Sequence, residues 1–158
     1  MINLTARDIM NRDVLSVGMD WSIDHLADYL IDNCISGAPV TSEDGKLLGV
    51  VSLTDIVGYR SLPATDAQLN DPHEYYIHCP ERQYSQAEIE SFRVETESLV
   101  MVREIMTPMT FNVKEDTKLQ QVADAMIRGR IHRVFVTRED KLMGIITTMD
   151  ILKTIRDL

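Results

Sequence analysis

The chain contains the octapeptide Gly49-Val50-Val51-Ser52-Leu53-Thr54-Asp55-Ile56, and it contains the same pattern again as Gly144-Ile145-Ile146-Thr147-Thr148-Met149-Asp150-Ile151. Each copy runs from a glycine through two apolar residues to Ser or Thr, with Asp three residues later. This order predicts a strand that passes directly into a helix, with the hydroxyl and the carboxylate in the first helical turn. A pattern present twice indicates an internal repeat, and the repeat decides the fold.

The similarity extends well beyond this octapeptide. The segment from about 6 to 56 returns from about 102 to 151, with Asp8-Ile9-Met10 reappearing as Glu104-Ile105-Met106. One extra residue, Gly45, shifts the register between the copies. We therefore predict a first repeat over 1–60, an acidic insert over 61–100 and a second repeat over 101–158, with the two repeats related by a pseudo-twofold axis.

Within each repeat the pattern predicts strand, helix, strand, strand, helix, so the fold class is α/β (α+β). In the first copy Val14-Leu15-Ser16-Val17 is suited to a strand, and Ser22 or Asp20 could cap the helix that follows. Apolar residues recur at helical spacing in both copies. Turn residues then separate two short apolar runs, as in a hairpin. The helical positions are Ile23, Leu26, Ala27, Leu30 and Ile31, then Leu119, Val122, Ala123, Met126 and Ile127.

Composition restricts the classes of partner and the location. Of the 158 residues, 44% are hydrophobic and 26% are charged, which is ordinary for a soluble globular protein. No apolar run approaches the roughly 20 residues of a membrane span, and the start has no signal-like pattern. A cytoplasmic location is expected. The net charge of −9 argues against DNA, RNA or an anionic membrane as a main partner, because each would demand a basic face.

The repeat resembles the cystathionine-beta-synthase (CBS) domain over nearly the whole chain apart from the insert. In this family two domains pack through their strands into a Bateman module, and two modules usually pair into a flat disc. The resemblance therefore implies a homodimer, which we expect to form through the apolar helical faces Ile23-Leu26-Leu30 and Leu119-Val122-Met126. The residues that carry it are Arg7-Asp8-Ile9-Met10, Arg103-Glu104-Ile105-Met106-Thr107-Pro108, Ile131-His132-Arg133 and the two octapeptides.

The Ser/Thr-x-x-Asp pairs are candidate ligand-binding residues. A carboxylate in the first turn of a helix can accept hydrogen bonds from two ribose hydroxyls, and the helix dipole helps to keep it charged. The resemblance implies the same role, a grip on the ribose of an adenosine ligand, for Ser52 with Asp55 and for Thr147 with Asp150. The alternative is that both pairs are helix caps, a position these residue types also favour.

The two predicted clefts differ in charge. The second copy has His132-Arg133-Val134-Phe135 before its hairpin, where the first has Ser36-Gly37-Ala38-Pro39. In the family a His-Arg pair here reaches the ligand phosphates, a task that suits Arg; the alternative is a solvated surface pair. The resemblance also places Met10, Val14 and Leu15 on the adenine at Thr147–Asp150. At Ser52–Asp55 it places Met106, Thr110 and Phe111, although packing in the core is an alternative role for both methionines. Ala38 and Val134 complete the predicted ligand-binding set.

The insert is acidic and rich in tyrosine, and we interpret it as a lid, a dimer contact or a partner surface. A capping box at Ser85-Gln86-Ala87-Glu88 predicts a short helix within it. The cluster His73, His78 and Cys79 matches no standard zinc spacing, so no metal site is predicted. Cys34 and Cys79 lie in unrelated contexts and are expected to be reduced thiols.

Two classes of function remain. The first is a regulatory module that binds AMP, ADP, ATP or S-adenosylmethionine as a regulatory ligand, requires no cofactor and signals to a separate, unknown protein. The second is an interaction or scaffold module whose ligand sites are vacant or degenerate. An enzyme is not expected, because the sequence shows no recognisable nucleophile and base, no Gly-rich phosphate loop and no metal set.

Overall fold

The computed structural model describes residues 3–61, 100–108 and 111–157. The first repeat consists of α1 (Ala6–Ile9), β1 (Val17–Gly18), α2 (Ile23–Asp32), β2 (Gly37–Thr41), β3 (Leu47–Ser52) and α3 (Leu53–Ser61). The second consists of α4 (Val102–Ile105), β4 (Thr107–Pro108), β5 (Asn112–Lys114), α5 (Leu119–Gly129), β6 (Arg133–Arg138), β7 (Lys141–Thr147) and α6 (Thr148–Arg156). The mixed α+β architecture predicted from the repeat is confirmed.

Within the described ranges the strands form two sheets, each built on the hairpin of one repeat. The first has the order β1-β2-β3-β4 and the second the order β5-β6-β7. In each sheet the opening strand pairs parallel to the next strand, and the hairpin strands pair antiparallel. The hairpin register shifts after Val40 in the first sheet and after Val136 in the second. The two repeats therefore share one sheet design.

The opening segments are exchanged between the repeats. Thr107 and Pro108, from the second repeat, pair with Val50 and Gly49 of β3. Asn11, from the first repeat, exchanges two backbone hydrogen bonds of 2.9 Å with Ile145 of β7. Each sheet is thus extended by a piece of the other repeat, which ties the two halves together.

Each hydrophobic core also contains residues from the opening segment of the other repeat. Ala6 and Met10 pack in the second core, together with Val122, Met126 and Ile146. In the other core, Val102 packs with Leu26, Leu30, Val51 and Ile56.

Glycine is required where the exchanged segments cross the sheets. A Cβ on Gly49 would lie 2.3 Å from the Thr107 carbonyl oxygen. A Cβ on Gly144 would lie 2.7 Å from Met10 Sδ and 2.8 Å from the Asn11 carbonyl oxygen. The glycine that opens each octapeptide thus permits the other repeat to approach.

The hairpin tips also join the two repeats. The Leu47 amide donates to the Asp140 carbonyl and the Leu142 amide donates to the Gly45 carbonyl, each at 3.0 Å. The extra residue Gly45 adopts a φ of +86°, which explains why glycine occupies the longer first hairpin. The turn of the second hairpin has positive φ at Glu139 and Asp140, as a two-residue turn between antiparallel strands requires.

Two expectations from the sequence are wrong. The strand predicted at Val14–Val17 is reduced to Val17–Gly18, because the preceding residues cross from the edge of β7 at Asn11 to the edge of β2. The apolar stripes expected to form a dimer face lie inside the protein, where they cover the sheets. Ile23, Leu26, Leu30, Val122 and Met126 are buried, and Leu119 is half-buried.

Other apolar side chains are exposed. Met149, Leu152 and Ile155 of α6 are 56%, 56% and 57% exposed, and Ile127 of α5 is also exposed. Within the described part of the chain, no helix has the length and the apolar content of a membrane span. The predicted helix at Ser85–Glu88 and most of the insert lie outside the described residues.

Candidate functional site

Thr147 and Asp150 meet at the start of α6. The Thr147 amide and its hydroxyl both donate to Asp150 Oδ2, at 2.8 Å and 2.7 Å, and the Asp150 amide donates to Thr147 Oγ1 at 3.4 Å. These bonds form a capping box. One carboxylate oxygen, Oδ2, carries both bonds from Thr147. Among the described residues, the other oxygen, Oδ1, has one charged neighbour, the Lys153 ammonium at 3.8 Å.

Ser52 and Asp55 form the same arrangement at the start of α3. The Ser52 amide donates to Asp55 Oδ2 at 2.7 Å, and the Ser52 hydroxyl donates to the same oxygen at 3.1 Å. Both residues are buried, with 1% and 8% of their surface exposed. Thr147 and Asp150 are half-buried, and the Asp150 side chain is 22% exposed. Capping therefore occurs in both copies, and the pair in the second copy is the more accessible one.

The cationic turn of the second copy lies beside this helix start. The Thr148 amide donates to the His132 carbonyl at 3.0 Å, and Arg133 is the register partner of Thr147. His132 is exposed and Arg133 is half-buried. The structure thus brings the imidazole and the guanidinium to the strand end that carries Thr147 and Asp150.

The first copy repeats this backbone geometry without the cations. The Leu53 amide donates to the Ser36 carbonyl at 2.9 Å, and Gly37 is the register partner of Ser52. Ser36 therefore takes the place of His132, and Gly37 takes the place of Arg133.

The two methionines of the opening segments lie toward the candidate sites. Because Asn11 pairs antiparallel with Ile145, Met10 lies on the Thr147 side of that bridge, and α1 contacts α6. Met106 lies on the Ser52 side of the pair formed by Thr107 and Val50, and α4 contacts α3. Met10 is buried and Met106 is half-buried, and both pack against the cores.

Other predicted site residues lie elsewhere. Val14 lines a small cavity of about 130 Å³ with Leu142 and Met143, near the hairpin tips and at the opposite end of β7 from Thr147. Leu15 is 42% exposed. Phe111 is 52% exposed, and its carbonyl accepts a hydrogen bond from the Phe135 amide in the second sheet. Thr110 lies outside the described residues.

The side chains of Ala38 and Val134 belong to the cores. Ala38 lies opposite Val51 in the first sheet, and Val134 lies opposite Ile146 in the second. Both are buried within hydrophobic clusters.

Two features of the second half are absent from the predictions made from the sequence. Lys153, one turn after Asp150, could have been found by noting that the first copy has Gly58 at this place. Glu115 is buried and accepts ion pairs from Arg7 and Arg138, each at 3.4 Å, beside a cavity of about 520 Å³ at the far end of the second hairpin. This ion-pair cluster fixes the opening helix to the second sheet.

Comparison with known proteins decides the family. The family model described as CBS domain matches residues 6–62 and 102–157. The chain belongs to the CBS domain family. As a CBS domain pair it is 30% identical over 156 residues to the uncharacterized protein MJ1426 of Methanocaldococcus jannaschii, a match that covers 96% of this chain and 91% of the relative.

Solved CBS domain pairs share the fold. The structure of CBSX2 in complex with AMP matches with a TM-score of 0.66 and 22% identity, and the match covers 97% of this chain and 96% of that one. The CBS domain pair of protein MJ0100, in complex with 5′-methylthioadenosine and S-adenosyl-L-methionine, matches with a TM-score of 0.63 and 22% identity. That match covers 99% of this chain and 98% of the other. At this level of identity the likeness concerns the fold.

Metal ligation has no support in the described part of the chain, where no group of three His, Cys, Asp or Glu side chains could hold an ion. The cluster His73, His78 and Cys79 lies outside the described residues. Cys34 is an exposed free thiol.

Proposed function

We propose that this CBS domain pair is a regulatory module that binds an adenosine-containing ligand of the AMP, ADP, ATP or S-adenosylmethionine class. The observation that carries the proposal is the arrangement at the start of α6. There, an accessible carboxylate with one oxygen outside the capping box lies beside the cationic turn His132–Arg133.

Each part of the ligand has a candidate partner in this arrangement. Asp150 Oδ1 can accept ribose hydroxyls while Oδ2 continues to hold the helix cap. Arg133 and His132 can donate charge-assisted hydrogen bonds to phosphate. Met10, on the Thr147 side of the Asn11–Ile145 bridge, is the candidate for contact with the base. Val14, which lies near the hairpin tips at the opposite end of β7, and the neighbouring Leu15 are not assigned to this site.

The first site is the weaker candidate. Ser52 and Asp55 are buried, and Ser36 and Gly37 carry no charge. On its side of β3, Met106 would offer an apolar surface to a ligand. We therefore propose that a nucleotide loads first at Thr147–Asp150.

Binding at this site can regulate a partner through the contacts between the repeats. The Asn11–Ile145 pair and, at the far end of β7, the joined hairpin tips link the two halves. A ligand shifts such an arrangement only by binding one geometry better than another. We propose that a separate protein recognises the shifted geometry.

Calorimetric titration of the full chain, first freed of carried-over ligand, tests this function. The panel is AMP, ADP, ATP and S-adenosylmethionine. We expect saturable binding of at least one of them. Absence of binding across the whole panel would contradict the proposal and favour an interaction module with vacant sites.

A further inference from the structure

Lys153 is placed to act on the second site. It follows Asp150 by three residues on α6, and its ammonium lies 3.8 Å from Asp150 Oδ1. Side chains on a helix lean toward its N-terminus, so Lys153 reaches back toward the cap formed by Thr147 and Asp150. The side chain is 61% exposed, and exposed ion pairs contribute little to stability. A ligand can therefore displace this contact readily.

The oxygen that Lys153 approaches is the one a ribose would need. Both donors of Thr147 use Asp150 Oδ2. Ribose hydroxyls on this carboxylate must therefore bond mainly to Oδ1, the neighbour of the ammonium. Lys153 and ribose compete for the same atom.

A phosphorylated ligand compensates for this competition, whereas an uncharged one does not. When ribose displaces the ammonium from Oδ1, a nearby phosphate offers it a new anionic partner. Adenosine displaces the same ammonium and offers it no anion in return.

The first copy supports a specific role at this position. Gly58 occupies the place of Lys153, and a Cβ on Gly58 meets no atom of the described residues within 4 Å. None of the described residues would block a side chain there, yet the first copy has none. The second copy thus has three cationic or ionisable side chains where the first copy has none. They are His132, Arg133 and Lys153, in place of Ser36, Gly37 and Gly58.

We propose that Lys153 is a specificity-determining residue that favours phosphorylated ligands over adenosine at the Thr147–Asp150 site. Without ligand its ammonium pairs with Asp150 Oδ1, and when a phosphorylated ligand binds, the ammonium moves to the phosphate. The inference rests on the proposed function and goes beyond it by assigning the discrimination to one side chain.

The test compares Lys153→Met with the unaltered chain in calorimetric titrations against AMP and adenosine. We expect AMP to bind about tenfold more weakly, the scale of one charge-assisted hydrogen bond, while adenosine binds equally well or more tightly. A structural role would weaken both ligands alike. Lys153→Arg should preserve the preference for AMP, because it keeps the cation.

Lys141→Met is the matched control, since it removes the same charge at the far end of β7. The ratio of AMP to adenosine affinity should stay unchanged in this variant. An equal loss of both affinities in Lys153→Met, or no loss of either, would overturn the inference while leaving the proposed function intact. If the unaltered chain binds neither compound nor any other member of the panel, the proposed function itself fails.

Discussion

Helices α3 and α6 begin with the same motif, but they lie in different environments. Ser52–Asp55 and Thr147–Asp150 make the same capping bonds. α3 nevertheless buries its aspartate together with Leu53 and Ile56, whereas no residue of α6, all of which are described, is buried. The comparison shows that a repeated motif can serve the fold in both copies while only one copy offers accessible chemistry.

The two sites also differ in charge, and the more accessible site is the cationic one. The more accessible motif is the one beside Arg133, and the buried motif lies beside Gly37. Because the chain carries a net charge of −9, cations placed at one site matter for an anionic ligand. These differences are the reason for proposing the second site as the one that takes a nucleotide.

The largest effect is expected from a substitution in the exposed apolar face of α6. We expect two copies to associate through Met149, Leu152 and Ile155, because such a face is costly to leave in water. Leu152→Glu should abolish the dimer in sedimentation at tens of micromolar, since a twofold interface would receive two like charges at a cost of several kcal/mol. Leu15→Glu, at an exposed site outside the helices, should leave the assembly unchanged. A strictly monomeric unaltered chain would contradict the expectation.

The exchanged segments provide the next largest effect. Gly49→Ala forces a Cβ against the Thr107 backbone, and we expect it to reduce the free energy of unfolding by about 3 kcal/mol, the upper part of the overpacking range. In Gly144→Ala the nearest atom is the flexible Met10 side chain, although the Asn11 carbonyl is also close, so the loss should be smaller. Urea denaturation of both variants measures the difference. If both variants lost little free energy of unfolding, and the same amount, the exchanged segments would not be tightly packed against these glycines.

Substitution of the two aspartates should have different effects, one on ligand affinity and the other on stability. Asp150→Ala should cost about 1.5–3 kcal/mol of affinity for the nucleotide, the scale of hydrogen bonds to a charged group. Asp55→Ala should instead reduce stability, because it leaves the buried Ser52 amide without its acceptor, and should change nucleotide affinity little. Calorimetry and denaturation of both variants provide the measurements. Unchanged affinity in Asp150→Ala would reduce the motif to a helix cap.

Arg133 should distinguish ligands by charge. Arg133→Ala should weaken the binding of AMP by about 1.5–2 kcal/mol. It should leave the binding of adenosine nearly unchanged, because adenosine has no phosphate for the guanidinium to contact. Added salt should likewise weaken AMP more than adenosine. Lys141→Ala, which removes an exposed cation at the far end of β7, is the control. Equal loss for both ligands would contradict a role at the phosphate.

Much of the fold could be predicted from local patterns. The helices at 23–32 and 119–129, both hairpins and the passage of each octapeptide from strand into helix follow from apolar spacing and turn residues. Ser22 caps α2 as one of the two predicted candidates. These features depend on residues close in sequence, so the sequence alone sufficed.

The errors concern long-range contacts. An apolar stripe such as Ile23-Leu26-Leu30 predicts a covered face but does not reveal whether the cover is its own sheet or another chain. The run Val14–Val17 has strand composition, yet its path is set by edges formed far away in sequence. The predicted exchange of opening segments came from family resemblance, since no local pattern indicates it.

A crystal structure of the full chain grown with AMP tests the central claim most directly. We expect the nucleotide at the start of α6, with ribose hydroxyls on Asp150 Oδ1 and the phosphate beside Arg133. A nucleotide bound only beside Ser52 and Asp55 would contradict it.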